Sequence, residues 1–345
     1  MGRQVIFAVA GSGKTSYLIN KLNLEQRFLI VTYTDNNELN IRQRIIAKFG
    51  YIPGNIHIMG YFTFLYSFCY KSMLGDVIGA KGINFDLPSD KYRQYKQTNV
   101  LHYLDEHRRI FSNRIALLCI KWQCIDDIKE KIAKYFDHFF IDEFQDFSSY
   151  DFDFALQIAP NTINTIYVGD YYQHTYSTSI NGNKNQNLYE AGFRQYIQRF
   201  NNEGWTSDTS TLVKSYRCPI EVCSYVKSNL GIEIEPATEK HGNIELITDI
   251  AQIEQILQND AIIKLFLQDS RKYNCRAMNW GDSKGLDSLG DVCVVLNKGT
   301  YKAYTQNSLK TLAPLTKNKF YVACTRTRGN LYFIEEDRIK HYKTR

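Results

Sequence analysis

Short apolar runs alternate with helix-like segments near the start of the chain. The pattern predicts strands at residues 4–10 and 28–32, and helices at residues 14–22 and 37–48. Strands that are apolar along their whole length are typical of a parallel sheet covered on both faces. The hydrophobic pattern therefore predicts an α/β fold.

The pattern changes between residues 64 and 135, where strand signals vanish and helical periods dominate. We interpret this stretch as a helical insertion into the first α/β unit. Strand signals return after the insertion, at residues 138–141 and 163–168. The segment 181–187 is rich in Asn and Gly, which predicts an exposed loop.

A second alternating unit begins near residue 211. The predicted strands are 244–247, 262–267, 292–296 and 331–334, and the predicted helices are 220–230, 250–257 and 317–325. The chain is therefore predicted to form two domains, residues 1–205 and residues 206–345, each large enough to enclose its own core.

Composition narrows the class of protein. Hydrophobic residues make up 44% of the 345 positions, which excludes a largely disordered chain. The net charge of +6 suits a polyanionic partner without deciding for one. The eight cysteines form no CxxC pair, so reduced thiols fit better than a zinc site. No apolar run approaches the ~18 residues of a membrane span, and we expect a cytoplasmic protein with no membrane partner.

A glycine-rich turn joins the first predicted strand to the first predicted helix, where residues 8–15 read AVAGSGKT. Such a turn points several backbone N–H groups at one place, and the helix N-terminus adds partial positive charge, so the turn suits a phosphate group. Lys14 is expected to reach the outer phosphates and Thr15 to hold Mg²⁺. The alternative is a glycine-rich turn without a ligand, and Ala8 departs from the strict motif, which has Gly there. The predicted nucleotide-binding set is Ala10, Gly11, Ser12, Gly13, Lys14 and Thr15.

An acidic pair follows directly on an apolar run at residues 139–146, which read FFIDEFQD. Asp142 is expected to bind Mg²⁺, directly or through water, and Glu143 to act as general base toward an attacking water. A solvated acidic turn is the alternative interpretation. The apolar residues that lead into the pair weaken that alternative, because they place the carboxylates at the end of a buried strand.

The glycine-rich turn and IDEFQD together resemble the UvrD/PcrA/Rep branch of the superfamily 1 helicases. Further segments follow in that family's order: VTYTDNNELNIRQRI from Val31, YFTFL from Tyr61, IYVGDYYQHTY from Ile166, KSYRCP from Lys214, DSKGLDSLGDVCVVL from Asp282 and KFYVACTRTRGNLYF from Lys319. The resemblance runs from residue 8 to about residue 334. It implies an α/β fold of two RecA-like P-loop domains, whose parallel sheets are flanked by helices and of which the first carries the helical insertion.

The resemblance also assigns roles to residues outside the first two motifs. Gln173 would sense the γ-phosphate, while Arg217 and Arg326 would neutralise charge that develops on it. Gly285 would allow a close approach of backbone, and Asp287 takes the position of a family glutamate that lies near the ribose. Asp170 would support the metal site.

Nucleic acid would run across both domains in a protein of this family. The candidates for base stacking or strand support are Tyr33, Tyr61 and Phe62, and Thr32 and Thr63 are candidates to donate to phosphates. The alternative for Tyr61 and Phe62 is a place in the core.

The chain also departs from the family pattern. Only nine residues precede AGSGKT, which leaves no room for the upstream glutamine motif that reads adenine, so base selectivity stays open. Thr178 and Ser179 stand where the family has a base-stacking Trp and a neighbouring Arg. Tyr171, Tyr172 or Tyr176 are the candidate substitutes for that Trp.

Two further departures concern the nucleic-acid path and the size of the chain. Asp35 occupies the position of a family Asn that lies along DNA, and a carboxylate there would repel a phosphate. Only 66 residues separate Arg217 from Lys284, where the family has a large extra domain. The parts needed for hydrolysis are therefore more complete than the parts that grip and split a duplex.

The sequence thus predicts an ATP hydrolase with ATP and Mg²⁺ bound between two RecA-like domains. It would act as a 3′ to 5′ translocase or helicase on single-stranded or partly duplex DNA, with RNA as another option. A nucleotide-gated sensor that signals to an effector such as a nuclease, without unwinding, is the alternative. A small-molecule kinase would need only the phosphate loop and leaves IDEFQD, GDYYQ and TRTR unexplained.

Overall fold

The structure is a computed structural model that describes residues 2–175, 184–185 and 187–343. The described chain forms two compact units. The first contains residues 2–6 and 15–169 and the described residues within 177–208. The second contains residues 7–14 and 170–175 and those from 209 onward.

The first unit is built on a six-stranded sheet. The strands up to residue 208 are β1 (Gly2–Phe7), β2 (Phe28–Thr32), β3 (Ile56–Gly60), β4 (Gly82–Asn84), β5 (Arg109–Phe111), β6 (His138–Asp142), β7 (Asn164–Gly169) and β8 (Thr206–Asp208). The sheet has the order β3-β2-β6-β7-β1-β8. The pairs of β2 with β3 and β6, of β6 with β7, and of β1 with β8 are parallel. Every residue of β2 is buried, as expected for a central parallel strand.

Helices and single turns connect these strands. The α-helices are Lys14–Asn20, Asp35–Phe49, Tyr61–Thr63, Ser72–Ile78, Asp90–Arg93, Ile115–Lys121, Ile125–Tyr135, Ser149–Gln157 and Phe193–Asn202, with a π-helix at Phe64–Lys71 and 3₁₀ turns at Val100–His102, Ser112–Arg114 and Phe144–Asp146. The helix Asp35–Phe49 begins at an N-cap, where the Thr34 hydroxyl accepts from Asn37 N at 3.3 Å. Asp35 and Glu38 lie in its first turn, where acidic groups complement the helix dipole.

The predicted insertion at residues 64–135 is mainly helical but contains a small sheet. Strands β4 and β5 pair in parallel, with Ile83 opposite Ile110. The expectation that no strand occurs in this stretch is therefore wrong. Each strand has only three residues, which is too short for a period-2 pattern to be visible in the sequence.

The second unit is built on a five-stranded parallel sheet of order β11-β15-β14-β12-β13. The strands from residue 209 onward are β9 (Lys214–Ser215), β10 (Glu235–Pro236), β11 (Ile244–Leu246), β12 (Ile263–Phe266), β13 (Ala277–Asn279), β14 (Val292–Leu296) and β15 (Leu331–Glu335). Strands β9 and β10 form a separate parallel pair. The α-helices are Ile220–Leu230, Ile250–Gln258, Lys298–Thr305 and Pro314–Cys324, and the 3₁₀ segments are Tyr171–Gln173, Ser270–Lys272, Gly281–Ser283, Leu309–Thr311 and Glu336–Tyr342.

The central strand β14 of this sheet is buried on both faces. Val292, Val294 and Leu296 belong to one hydrophobic cluster. Cys293 and Val295 belong to another. Successive side chains of a strand point to opposite faces, so the strand feeds two core layers at once. This explains why its sequence is an uninterrupted apolar run.

The predicted α/β fold with parallel sheets is confirmed by the structure. Strands 28–32 and 292–296 and helix 220–230 are confirmed to the residue, and the other predicted elements differ at their ends by a few residues. The domain boundary at residue 205/206 stays a prediction. No helix in the described ranges combines the length and apolarity needed to cross a bilayer.

Candidate nucleotide site

The phosphate loop lies between β1 and the helix Lys14–Asn20. Gly11 and Gly13 have positive φ angles of 72° and 82°, a conformation that side chains with a Cβ rarely adopt. Ser12 N donates to Val9 O at 3.2 Å and closes the turn. The Ser12 hydroxyl is enclosed and has no hydrogen-bond partner among the described residues. A glycine-rich turn of this shape leads directly into the helix that Lys14 opens.

The acidic pair lies at the end of β6, where Asp142 is the last residue of the strand. The Thr15 hydroxyl donates to Asp142 Oδ2 at 2.8 Å. The other carboxylate oxygen, Oδ1, accepts from Glu143 N at 3.0 Å. Two hard oxygen atoms, from Asp142 and from Thr15, the residue after Lys14, therefore lie together. This donor set suits Mg²⁺, which prefers oxygen ligands and retains phosphate or water oxygens in the remaining positions.

Glu143 has a left-handed backbone, with φ 58° and ψ 44°. A residue with a Cβ adopts this conformation at a cost, and such strain clusters at functional sites. The reversal turns the chain sharply after Asp142. The Glu143 carboxylate then accepts a hydrogen bond from Gln145 Nε2, two residues further on.

The acidic turn is supported from two sides. A Cβ atom on Gly169, the last residue of β7, would lie 2.6 Å from Gln145 Oε1 and 3.2 Å from Phe144 N. The Tyr189 hydroxyl lies 2.7 Å from Gln145 O, to which it donates. The turn that presents Glu143 is thus fixed by a close backbone approach and by a buried tyrosine that sequence reasoning did not single out.

Arg217 lies against the phosphate loop within the second unit. Tyr216 N donates to Gly11 O at 2.9 Å. A Cβ atom on Gly11 would lie 2.7 Å from both Arg217 Cβ and Ser215 Oγ. The Arg217 guanidinium donates to Thr325 O at 3.2 Å and forms an ion pair with Asp287. Arg217, which was predicted to neutralise charge on the γ-phosphate, therefore lies beside the phosphate loop. Its ion-pair partner is Asp287, the carboxylate predicted to lie near the ribose.

Arg326 is almost fully enclosed, with 1% of its surface exposed. Its Nε donates to Val322 O at 3.2 Å and its Nη1 to Leu286 O at 3.3 Å. Its Nη2 is buried and has no acceptor among the described residues. Burial and the neighbouring Arg217 lower the pKa of Arg326 to about 10, so the guanidinium is still charged at neutral pH.

The segment 170–175 is held by the helix Pro314–Cys324. Asp170 accepts from Tyr172 N at 3.1 Å and from the Tyr321 hydroxyl at 3.0 Å. Gln173 is buried, and its backbone N donates to Asp170 O at 2.8 Å. Tyr321 was missed as a functional candidate. The only signal for it was its position inside the segment KFYVACTRTR, five residues before Arg326.

Gly285 has a φ of 86° and no atom within 4 Å of an added Cβ. A glycine is therefore required at residue 285 by the backbone conformation and not by packing. No group of three or more His, Cys, Asp or Glu side chains in the described part of the chain is arranged to hold a metal ion. Mg²⁺ usually retains water and phosphate oxygens beside one or two protein ligands, which is the kind of site that Thr15 and Asp142 would suit.

Residues 84–191 match the family model of the UvrD/REP helicase N-terminal domain. This segment includes the acidic turn and the residues around Asp170. This segment is similar in sequence to that domain and makes up less than a third of the chain. The resemblance to superfamily 1 helicases found in the motifs is thereby confirmed. A comparison with curated protein sequences gives no significant match.

Two solved helicase structures share the fold of this chain. The arterivirus nonstructural protein 10 helicase in complex with DNA has a TM-score of 0.51 at 14% identity over 96% of this chain. A crystal structure of the arterivirus nonstructural protein 10 helicase has a TM-score of 0.51 at 12% identity over 99% of this chain. The chain spans 60% and 62% of these two proteins, respectively. At this identity the likeness shows the fold alone.

The residues predicted to contact nucleic acid divide into buried and more accessible ones. Thr32 is fully buried, and its hydroxyl has no partner among the described residues. Tyr61 is buried between Tyr33 and Phe147, and its hydroxyl donates to Asp151 at 2.9 Å. These contacts favour strand support over base stacking for Tyr61, because both its ring and its hydroxyl are already engaged.

Three other candidates in this region are more accessible. Tyr33 and Phe62 are half-buried and Thr63 is exposed. The Phe62 ring stacks on the Tyr66 ring, with 6.0 Å between the ring centroids. The ring centroid of the exposed Phe85 lies 5.3 Å from that of Phe62. Phe85 is an aromatic neighbour that the sequence did not single out, because it lies in the inserted segment.

The remaining departures from the UvrD/Rep pattern are only partly visible. Thr178, Ser179 and Tyr176 lie outside the described residues. Tyr171 is buried and meets the ring of Tyr172 edge-on at 5.0 Å. Tyr171 therefore has little surface to offer a base in this conformation, and Tyr172, which is half-buried, has more.

Proposed function

We propose that the chain is a nucleic-acid-stimulated ATPase that acts as a single-strand DNA translocase or helicase, moving 3′ to 5′. The observation that carries the proposal is the hydrogen bond of 2.8 Å from Thr15 to Asp142. It joins the residue after the phosphate-loop lysine to the first carboxylate of the DE pair, as an ATPase site requires. The UvrD/Rep family match supports the helicase class of ATPase.

In this proposal the phosphate loop binds the nucleotide, and the acidic turn binds the metal ion and activates water. Lys14 and the loop N–H groups hold the phosphates, and Thr15 and Asp142 hold Mg²⁺, which would neutralise charge on the outer phosphates. Glu143 takes a proton from the attacking water. The contact with Gln145 keeps its carboxylate oriented for that transfer.

In the proposed reaction Arg217 and Arg326 donate hydrogen bonds to the transferred phosphate. Arg326 has one buried donor atom, Nη2, without a partner among the described residues, so a phosphate oxygen would satisfy it. Arg217 would exchange its ion pair with Asp287 for the phosphate, or share its donors between the two. Gln173 would report the γ-phosphate, Gly285 would give the backbone room to approach, and Asp287 would lie near the ribose.

Nucleic acid would bind along the more accessible candidates. Phe62 and Tyr33 offer aromatic surface and Thr63 an exposed hydroxyl, which suits stacking and phosphate contact on a single strand. Thr32 and Tyr61 would shape this surface from below. We propose single-stranded DNA as the partner, with RNA as the competing polymer.

The test is the rate of ATP hydrolysis by the full chain without polymer and with single-stranded DNA, single-stranded RNA and duplex DNA. We expect single strands to stimulate hydrolysis more than duplex, and the Lys14→Ala variant to lose turnover under every condition, because its ammonium neutralises the outer phosphates. A rate that no polymer changes, or normal turnover in Lys14→Ala, would refute the proposal.

A nucleotide-gated sensor that signals to an effector such as a nuclease is the second candidate. Between Arg217 and Lys284 the structure has only elements of the second unit, β10 to β13 and the helices Ile220–Leu230 and Ile250–Gln258, with short turns. The large extra domain expected there in a processive helicase is absent from that stretch. Strand displacement separates the two functions: hydrolysis without unwinding by the isolated chain favours the sensor, and unwinding favours the motor.

A further inference from the structure

The hydroxyl of Tyr321 joins the phosphate loop to Asp170. Ala10 N donates to Tyr321 Oη at 2.8 Å, and the Tyr321 hydroxyl donates to Asp170 Oδ2 at 3.0 Å. All three residues are fully buried. A phenol carries one proton, so the direction of both bonds is fixed: the oxygen accepts from the amide, and the proton goes to the carboxylate.

The same helix holds the segment after Asp170 by a second bond. Asn318, one turn before Tyr321, donates from Nδ2 to His174 O at 3.1 Å. Residues three apart on a helix share a face, so one face of Pro314–Cys324 contacts both ends of the segment 170–174. Gln173, the proposed γ-phosphate sensor, lies between these two anchor points.

The end of this helix also carries the arginine contacts. Thr325 O, next to the helix C-terminus, accepts from Arg217 at 3.2 Å, and Arg326 is the next residue. The helix Pro314–Cys324 itself contacts the phosphate loop at Ala10 and the segment 170–174 at Asp170. In each case the contact is a hydrogen bond to a buried group, which is costly to leave unmade.

We propose that Tyr321 is a positioning residue that makes the phosphate loop, the Gln173 segment and the arginine helix move as one body during nucleotide turnover. This inference rests on the proposed function. The hydroxyl does not touch the reacting atoms. Its role is to hold Ala10 and Asp170 at fixed distances from the helix that presents Arg326, because catalytic groups lose effect when displaced by a fraction of an ångström.

The test compares Tyr321→Phe with Tyr225→Phe. Tyr225 lies in the same unit and its hydroxyl is buried without a hydrogen-bond partner among the described residues, so its removal breaks no such bond. We expect Tyr321→Phe to lower kcat per bound nucleotide by roughly tenfold while the affinity for a fluorescent nucleotide changes by less than about threefold. The control is expected to retain the kcat of the unsubstituted chain.

Counting turnover per bound nucleotide, well below the melting temperature, separates positioning from folding. A merely structural role would lower the number of binding sites and leave kcat per site unchanged. That result, or equal kcat in the two variants, would overturn the proposal.

A chain that hydrolyses no ATP with any polymer would count against the proposed function and not against the role of Tyr321. Hydrogen exchange in the peptide spanning residues 8–13 then decides. We expect faster exchange at Ala10 in Tyr321→Phe than in Tyr225→Phe, because the amide loses its acceptor. Equal exchange in the two variants would refute the link between helix and loop.

Discussion

The acidic turn and the arginine segment present charged groups in opposite ways. Glu143 is half-buried, has a strained backbone and accepts a side-chain hydrogen bond from Gln145. Arg326 is enclosed and is held by backbone carbonyl groups on two segments. The Glu143 carboxylate can therefore be altered with little damage to packing, whereas the Arg326 guanidinium is itself packed in the protein interior.

Among variants of these two regions, the largest effect is expected for Arg326→Ala. Loss of the guanidinium should lower kcat by about 10³-fold or more with little change in nucleotide affinity, as for arginines that act on the transition state. Steady-state hydrolysis and nucleotide binding measure the two quantities. A large loss of affinity with normal turnover would contradict this role.

Arg326→Ala should also lower stability, because the carbonyl groups of Val322 and Leu286 each lose a donor. We expect the free energy of unfolding to fall by about 1–3 kcal/mol. Arg328→Ala is the matched control, since Arg328 is exposed and lies two residues further on. Equal losses of stability in the two variants would show that burial of Arg326 contributes nothing.

Glu143→Gln should have the next largest effect on turnover. Loss of the base is expected to lower kcat by about 10²–10⁴-fold while the variant still binds and retains nucleotide. Its melting temperature should stay close to that of the unsubstituted chain, because the new amide oxygen can still accept from Gln145. Retention of labelled nucleotide on a filter tests this, and normal turnover would remove Glu143 as the base.

Gly169→Ala should affect the acidic turn without changing any charge. The new methyl group would lie 2.6 Å from Gln145 Oε1 and 3.1 Å from Gln145 N. We expect the free energy of unfolding to fall by about 1–3 kcal/mol, with a loss of kcat as Gln145 moves away from Glu143. Gly54→Ala is the control, because Gly54 has no atom within 4 Å of an added Cβ. Denaturant unfolding that fails to distinguish the two would show that the turn adapts.

The smallest effect is expected for Thr32→Val. The Thr32 hydroxyl is buried without a partner among the described residues, so an isosteric methyl group should leave stability unchanged or raise it by up to about 1 kcal/mol. Affinity for single-stranded DNA should not change, whereas Thr63→Val at an exposed position should weaken it. A loss of DNA affinity in Thr32→Val would show that this hydroxyl becomes accessible on binding.

The sequence predicted the parallel strands and the phosphate and acidic motifs because each depends on local pattern. Strand 292–296 is uniformly apolar, and the Asp142–Glu143 pair follows such a run directly. It did not predict β3, where exposed His57 interrupts the apolar positions, or β4 and β5, which are too short. Tyr321 and Tyr189 were missed because their partners lie far away in the sequence, and no local pattern records such a pairing. Phe85 was missed because it lies in the inserted segment.

The close approach at Gly11 bears on how this chain is best inactivated. Any side chain at residue 11 would collide with the Cβ atom of Arg217 and with Ser215, both at 2.7 Å. An alanine there would disturb the segment 215–217 as well as the phosphate loop, so an inactive variant of this kind would not reveal which of the two had failed. Lys14→Ala removes only the lysine side chain. It is therefore the better substitution for obtaining an inactive protein for genetic work.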